Sequence, residues 1–247
     1  MRPRIGITVH AYEAVAREKH LEARYLLTGQ YVRAVERAGG LPLLVPTRQG
    51  FAAPPDELPA HLDGLLFSGG GGVPARTFEG DVSPSLRDTN PERYDYEVAL
   101  AGAAREASIP MLGICRGFQT LAEAAGGTLL TNLERLPEHR GRHYQDAEPT
   151  VPTHGASIEA SSVLGRSLPV DVRVNSFHRQ ALDALPDGHF AAAFADDGLV
   201  EAMESTDGRV LGTQFHPEWL ADAEPGFGAP FAWLVERADE GRKRRNR

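Results

Sequence analysis

The chain has a single cysteine, Cys115, among its 247 residues. That excludes an internal disulfide and any zinc site built on four cysteines. A lone cysteine in such a chain is by default a small buried hydrophobe. No apolar run is long enough to cross a bilayer. The segment after the basic Met1-Arg2-Pro3-Arg4, Ile5 to Val9, is too short for a signal-peptide core, so a cytoplasmic location is expected. Positive charge is also scarce: 26 Lys and Arg stand against 34 Asp and Glu, a net charge of −8, which argues against nucleic acid as a partner. The one basic run, Arg242-Lys243-Arg244-Arg245-Asn246-Arg247, reads as a solvated, frayed end within a tail over 239–247. No repeat or low-complexity linker divides the chain. Its composition, 41% hydrophobic and 24% charged, is that of a globular protein. One large domain over 1–247, with its core over 4–236, is the natural expectation.

Residues 4–9 predict a first buried strand. Tyr25 to Ala38 has helical spacing and stops at Gly39-Gly40. Strands are expected at 41–46 and from 63 into the glycine run Gly69-Gly70-Gly71-Gly72, with a short helix over 56–62 between them. Asn90-Pro91-Glu92 is a helix start with an N-cap, a proline at the first position and an acid in the first turn; that helix should reach Ala107. A strand over 109–114 and a helix over 116–125 follow. This alternation signals an α/β fold with a largely parallel sheet. Segments 150–160, 170–175, 190–195, 199–205 and 209–215 are strand-like, and a last helix is expected over 227–238. Residues 134–149 are polar enough for a surface loop.

The chemistry concentrates in two segments. In Gly113-Ile114-Cys115-Arg116-Gly117-Phe118-Gln119 a strand meets a helix with almost no loop, and glycines flank the cysteine at two residues on either side. This resembles a nucleophile elbow. A helix N-terminus favours a thiolate, and the next amide, that of Arg116, is placed to donate to an oxyanion. Gln119 lies one turn on and can face the same cleft. Taken alone, the pentapeptide leaves a structural cysteine about as probable as a nucleophile. The second segment, Gln214-Phe215-His216-Pro217-Glu218-Trp219, supplies a base and a carboxylate to orient it. His10, His20, His61, His139, His143, His154 and His189 lack comparable context and receive no role.

Together these segments resemble the class I glutamine amidotransferase-like superfamily, where G-x-C-x-G-x-Q carries the nucleophile and a downstream H-P-E completes a triad. Ala38-Gly39-Gly40-Leu41-Pro42 and Val174-Asn175-Ser176-Phe177-His178-Arg179-Gln180 narrow the resemblance to its stand-alone hydrolase branch, typified by γ-glutamyl-γ-aminobutyrate hydrolase of putrescine breakdown. The resemblance covers roughly residues 4–236. It implies a flavodoxin-like α/β sandwich with additional strands in the C-terminal half. It also implies a triad of Cys115, His216 and Glu218 and an oxyanion hole from the amides of Gly70 and Arg116. Gln119, Asn175, Ser176 and His178 become candidate substrate contacts. His178 could equally belong to a capped turn before a following helix, and Arg116 could bind a substrate carboxylate or pair with an acid on a neighbouring helix. The implied substrate is a small γ-glutamyl amide, with no metal or organic cofactor required and no nucleic acid or membrane partner; a homodimer stays open. Two departures stand out: the branch's acidic residue soon after the glycine run is missing, and Phe78 stands where a tyrosine is usual. Alternatives are a glutaminase subunit feeding ammonia to a separate synthetase, a γ-glutamyl hydrolase with another leaving group, and a non-catalytic binding protein.

Overall fold

The structure, a computed structural model, describes residues 1–15, 21–47, 53–70 and 90–245. The first half alternates strands and helices: β1 (Arg4–Val15), β2 (Leu21–Leu26), α1 (Gly29–Arg37), β3 (Leu41–Pro46), β4 (Gly64–Phe67), α2 (Pro91–Glu106), β5 (Met111–Ile114) and α3 (Arg116–Ala124). The second half is strand-rich: β6 (Thr128–Leu130), β7 (His154–Ile158), β8 (Asp171–Val174), β9 (Ala181–Ala184), β10 (His189–Ala195), β11 (Val200–Ser205) and β12 (Val210–Thr213). The chain closes with α4 (Pro217–Leu220) and α5 (Ala229–Arg245).

All twelve strands join one sheet. The neighbours β3, β1, β4, β5 and β12 run parallel. Beyond β12 the strands β11, β10, β7 and β8 run antiparallel, so the strand-like second half extends the parallel sheet. The period-two alternation of strand side chains sorts the core into two faces. Ile5, Ile7, Leu66, Leu112 and Ile114 pack with Tyr31 and Val35 of α1 and Phe231 and Leu234 of α5. Leu65, Phe67 and Met111 pack with Tyr96 and Leu100 of α2 and Phe118 and Leu121 of α3. Helices on both faces make the α/β sandwich, and β4 and β5 are buried on both sides, which is why 64–67 and 111–114 read as unbroken apolar runs.

The helix starts agree with their sequence signals: the Asn90 side chain accepts the Arg93 amide at 3.1 Å. Four elements differ from expectation. β1 continues to Val15 and pairs with β2, with Tyr25 opposite Ala11. Tyr25 and Leu26 are therefore strand residues and α1 begins at Gly29; Leu26 fell by chance on the apolar stripe of that helix. The segment after Gln180 is strand β9, paired with β6, and not a helix. The basic run is helical rather than frayed as far as Arg245, where the described residues end. Lys243 pairs with Asp239 at 2.6 Å one turn back, and Arg245 reaches the Asp63 carboxylate at 2.6 Å. Burial raises the Asp63 carboxyl, yet Arg4 and Arg245 hold it below its usual range. Among the described residues no helix is long and apolar enough to cross a membrane.

Candidate active site

β4, β5 and β12 are adjacent and parallel, so their carboxyl ends deliver three loops to one spot. In register, Phe67 lies opposite Gly113 and Ile114 opposite Thr213. The next residues are Ser68-Gly69-Gly70, Cys115 and Gln214-Phe215-His216. Sheet pairing thus brings together segments far apart in sequence, at the strand ends where open α/β sheets hold ligands. The Cys115 amide still pairs with the Thr213 carbonyl at 2.8 Å, one step past the end of β5.

Cys115 stands as N-cap of α3 with φ 51° and ψ −106°, a conformation that strains a residue with a side chain. The flanking glycines make room. A Cβ on Gly113 would lie 2.6 Å from the Gly117 carbonyl oxygen, and one on Gly117 would collide with the Phe67 carbonyl. The corner sets Cys115 beside His216, since both line the space next to Gly69, and the cysteine helps to hold the imidazole protonated. The other side of that ring, Nδ1, donates to Glu218 Oε1 at 2.7 Å. The sequence Cys–His–Glu is therefore in line.

Burial would lower the His216 pKa, but the charges of Glu218 and Cys115 and the hydrogen bonds to both raise it well above 6.5. A histidine with a raised folded pKa contributes stability that is complete below its unfolded value and lost as pH rises through the folded one. The fold should therefore weaken from neutral to alkaline pH. Urea midpoints across that range should fall more steeply for the parent protein than for Glu218→Gln, in which His216 loses its carboxylate; equal slopes would refute the assignment.

Tyr31 and Arg93, which carry no sequence signature, shape the glycine loop. The Gly69 amide donates to the Tyr31 hydroxyl at 3.0 Å, so it is already engaged within the protein. Burial, then the charge of Glu218, pushes the Tyr31 phenol well above its usual range, so it stays neutral. The buried Arg93 guanidinium donates to the carbonyls of Gly69 at 3.0 Å and Ser68 at 2.8 Å. Its Nε bonds Glu97 at 3.0 Å, and Glu97 accepts the Thr8 hydroxyl at 2.6 Å. With its carbonyls clamped to the inside, the loop has its backbone orientation fixed. The only prior hint was Arg93 and Glu97 at helical i, i+4 spacing.

The residues expected to touch substrate are placed differently. Gln119 is buried and gives both amide hydrogens to protein acceptors, Gln180 O at 2.7 Å and Gln214 Oε1 at 2.9 Å. Asn175 clamps the His216 backbone, donating to its carbonyl at 3.1 Å and accepting its amide at 2.8 Å. The buried Ser176 hydroxyl donates to the His143 carbonyl at 2.9 Å. His178 is buried facing Glu201, 3.6 Å away, and burial pulls its pKa to about 3. In the structure all four are buried with protein partners. Extended backbone alternates its side chains, so within 175–180 it is Phe177 that meets the His216 ring edge-on at 5.8 Å. Tyr144 packs on Phe177 at 6.3 Å, and the Arg179 guanidinium lies 4.5 Å from the Tyr144 ring. Arg116 is buried beside Glu97 and Glu123; burial and neighbouring Arg93 lower its pKa to about 10. The missing acid after the glycine run and Phe78 lie outside the described residues.

The family model for Peptidase C26 matches residues 3–218, which spans all three loops. Protein NtpR of Enterococcus hirae is 36% identical over 76% of this chain and 79% of its own length. The gamma-glutamyl-gamma-aminobutyrate hydrolase of Escherichia coli O157:H7 is 34% identical over 80% of each. A glutamine amidotransferase of Thermotoga maritima, at 18% identity, shares the fold with a TM-score of 0.58 across 99% of this chain and 86% of that one. The chain thus belongs to the Peptidase C26 family, within the class I glutamine amidotransferase-like hydrolases.

Proposed function

We propose that this protein hydrolyses γ-glutamyl amides through a thioester on Cys115. The observation that carries the reading is the strained Cys115 corner, with His216 on the thiol and Glu218 behind it. The Cys115 thiolate attacks the γ-carbonyl carbon, and the charge that forms on oxygen is met by the amides of Gly70 and Arg116. Protonated His216 gives its proton to the leaving nitrogen as the carbon–nitrogen bond breaks. Neutral His216 then takes a proton from water, the hydroxide attacks the thioester, and glutamate leaves as the thiolate re-forms.

The leaving amine would sit beside Phe177, whose ring meets His216, and Tyr144, which packs on Phe177. Arg179, stacked on Tyr144, adds positive charge there. That suits an amine ending in a carboxylate, as γ-aminobutyrate does. The reading rests on turnover of γ-glutamyl-γ-aminobutyrate and glutamine measured side by side. The dipeptide-like amide should give the higher kcat/KM. Arg179→Met should lower that value by about 10- to 100-fold, the worth of a charge-assisted hydrogen bond, and leave glutamine turnover nearly unchanged. Preference for glutamine by the parent protein would favour a glutaminase subunit instead; turnover of neither would remove the hydrolase reading.

A further inference from the structure

Behind the wall that holds His216, segments far apart in sequence bring three histidines and a glutamate together. Glu201 of β11 is 0% exposed, His143 2% and His178 4%; His154, at the start of β7, is partly buried. Each ring has its outer nitrogen on an oxygen acceptor. His143 Nε2 donates to Asp197 Oδ2 at 2.9 Å, His154 Nδ1 to the Gly155 carbonyl at 3.0 Å and His178 Nδ1 to the Gln180 carbonyl at 2.8 Å. Those acceptors fix the proton on the outer nitrogen, so each inner nitrogen carries a lone pair.

The three inner nitrogens, His143 Nδ1, His154 Nε2 and His178 Nε2, each lie 3.6 Å from the same oxygen, Glu201 Oε1. Among the described residues none of these atoms has a hydrogen-bond partner, and neither does Glu201 Oε2. Acceptors therefore converge on acceptors in a buried place, which is costly without a positive centre between them. A proton on Glu201 would satisfy one nitrogen and strand two. A bridging water, about 2.8 Å from each partner, would hold tetrahedral partners about 4.6 Å apart. A zinc-class ion with bonds of about 2.0–2.1 Å would hold them about 3.4 Å apart, much nearer the observed spacing.

We propose that His143, His154 and Glu201 ligate a structural divalent cation of the zinc class, with His178 facing the same carboxylate oxygen from beside the site. The three named ligands lie within metal-sharing distance of one another, and His178 meets the group only at Glu201 Oε1, 3.6 Å away. Imidazole and carboxylate are the donor set such cations prefer. The outer hydrogen bonds are the support that metal-bound histidines need to hold their tautomer. Asp197 belongs to that outer layer. It accepts directly from His139 at 2.7 Å as well as from His143, so it is satisfied without a cation. The cation takes no part in the hydrolytic step. It ties the 139–145 loop, β7 and the 175–180 segment to β11. These elements in turn hold the active site: the Glu201 carbonyl accepts the Gln214 amide at 2.7 Å, and Asn175 grips His216.

The test is metal analysis and zinc titration of the full chain, done also on Cys115→Ala so that the triad thiol cannot be the ligand. We expect about one zinc per chain in both proteins. Chelator treatment should lower Tm and added zinc should restore it. Cobalt in place of zinc should give the intense visible absorption of a tetrahedral site. Glu201→Gln and His154→Ala should lose the stoichiometric metal. If those variants do not fold, stripping and refilling the parent protein carries the test alone. Substoichiometric zinc in the refilled parent protein, with Tm indifferent to zinc and chelator, overturns the proposal. So does zinc that is lost in Cys115→Ala.

Discussion

Cys115→Ala is expected to lower kcat on a γ-glutamyl amide by about 10⁵- to 10⁶-fold, because a nucleophile and its base act as one unit and removing either removes the covalent route. The fold should survive. Alanine keeps the Cβ that the corner already accommodates, and the lost thiol takes with it its interaction with His216. Steady-state kinetics together with far-UV circular dichroism checks both halves. A variant that turns over within tenfold of the parent would rule out a thioester. A companion change tests the strain itself. At φ 51° a side chain costs about 1–3 kcal/mol, which glycine relieves, while glycine adds about 0.5–1 kcal/mol of unfolded-state entropy. Cys115→Gly should therefore be more stable than Cys115→Ala by about 1 kcal/mol in urea melts. The reverse order would mean the corner holds no strain, and that the cysteine gains nothing from being forced there.

The parts of this site that were legible in the sequence are those whose local chemistry is unusual. Cysteine between two glycines at a strand-to-helix junction and histidine followed by proline and glutamate are short patterns, and each fixes its own backbone. The parallel core was legible for a similar reason, since strands buried on both faces leave continuous apolar runs such as Gly64–Phe67. What stayed hidden depends on direction. Asn175, Ser176 and His178 sit in the right segment, but which of its residues faces the cleft follows from how β8 hands the chain across to β9. Phe177, the residue that meets His216, looked like the least chemical of the six. His139, His143 and His154 had no spacing to unite them, because they are gathered by the pairing of β7, β10 and β11 and by the 139–145 loop. Arg93 was invisible for a further reason: its partners are main-chain carbonyls, which every residue has. β2 was missed because an edge strand needs no apolar face, and Leu26 happened to extend a helical stripe.

Gly117→Ala is expected to disrupt stability and activity together. The missing side chain lets α3 start against the end of β4: an added Cβ would meet the Phe67 carbonyl oxygen and carbon and the Phe67 Cβ. None of these is the far end of a flexible side chain that can swing away. Two backbones would have to separate, and they are the two that carry Cys115 and the Ser68-Gly69-Gly70 loop. Arg93 ties that loop to α2 from the other side, so relief on the loop's part breaks buried hydrogen bonds to a guanidinium. The cost should exceed about 4 kcal/mol, the range reached only when core backbone is forced apart. Molecules that still fold should lose at least about 100-fold in kcat/KM, because a shift of about 1 Å misaligns thiol and oxyanion amides. Gly102→Ala is the control. It lies within α2, and a Cβ there meets nothing within 4 Å, so helix propensity alone decides and the change should stabilise by about 1 kcal/mol. Urea melts and kinetics on the two variants separate the cases. If Gly117→Ala were as harmless as Gly102→Ala, the close approach of elbow and glycine loop would not be what holds Cys115 in place.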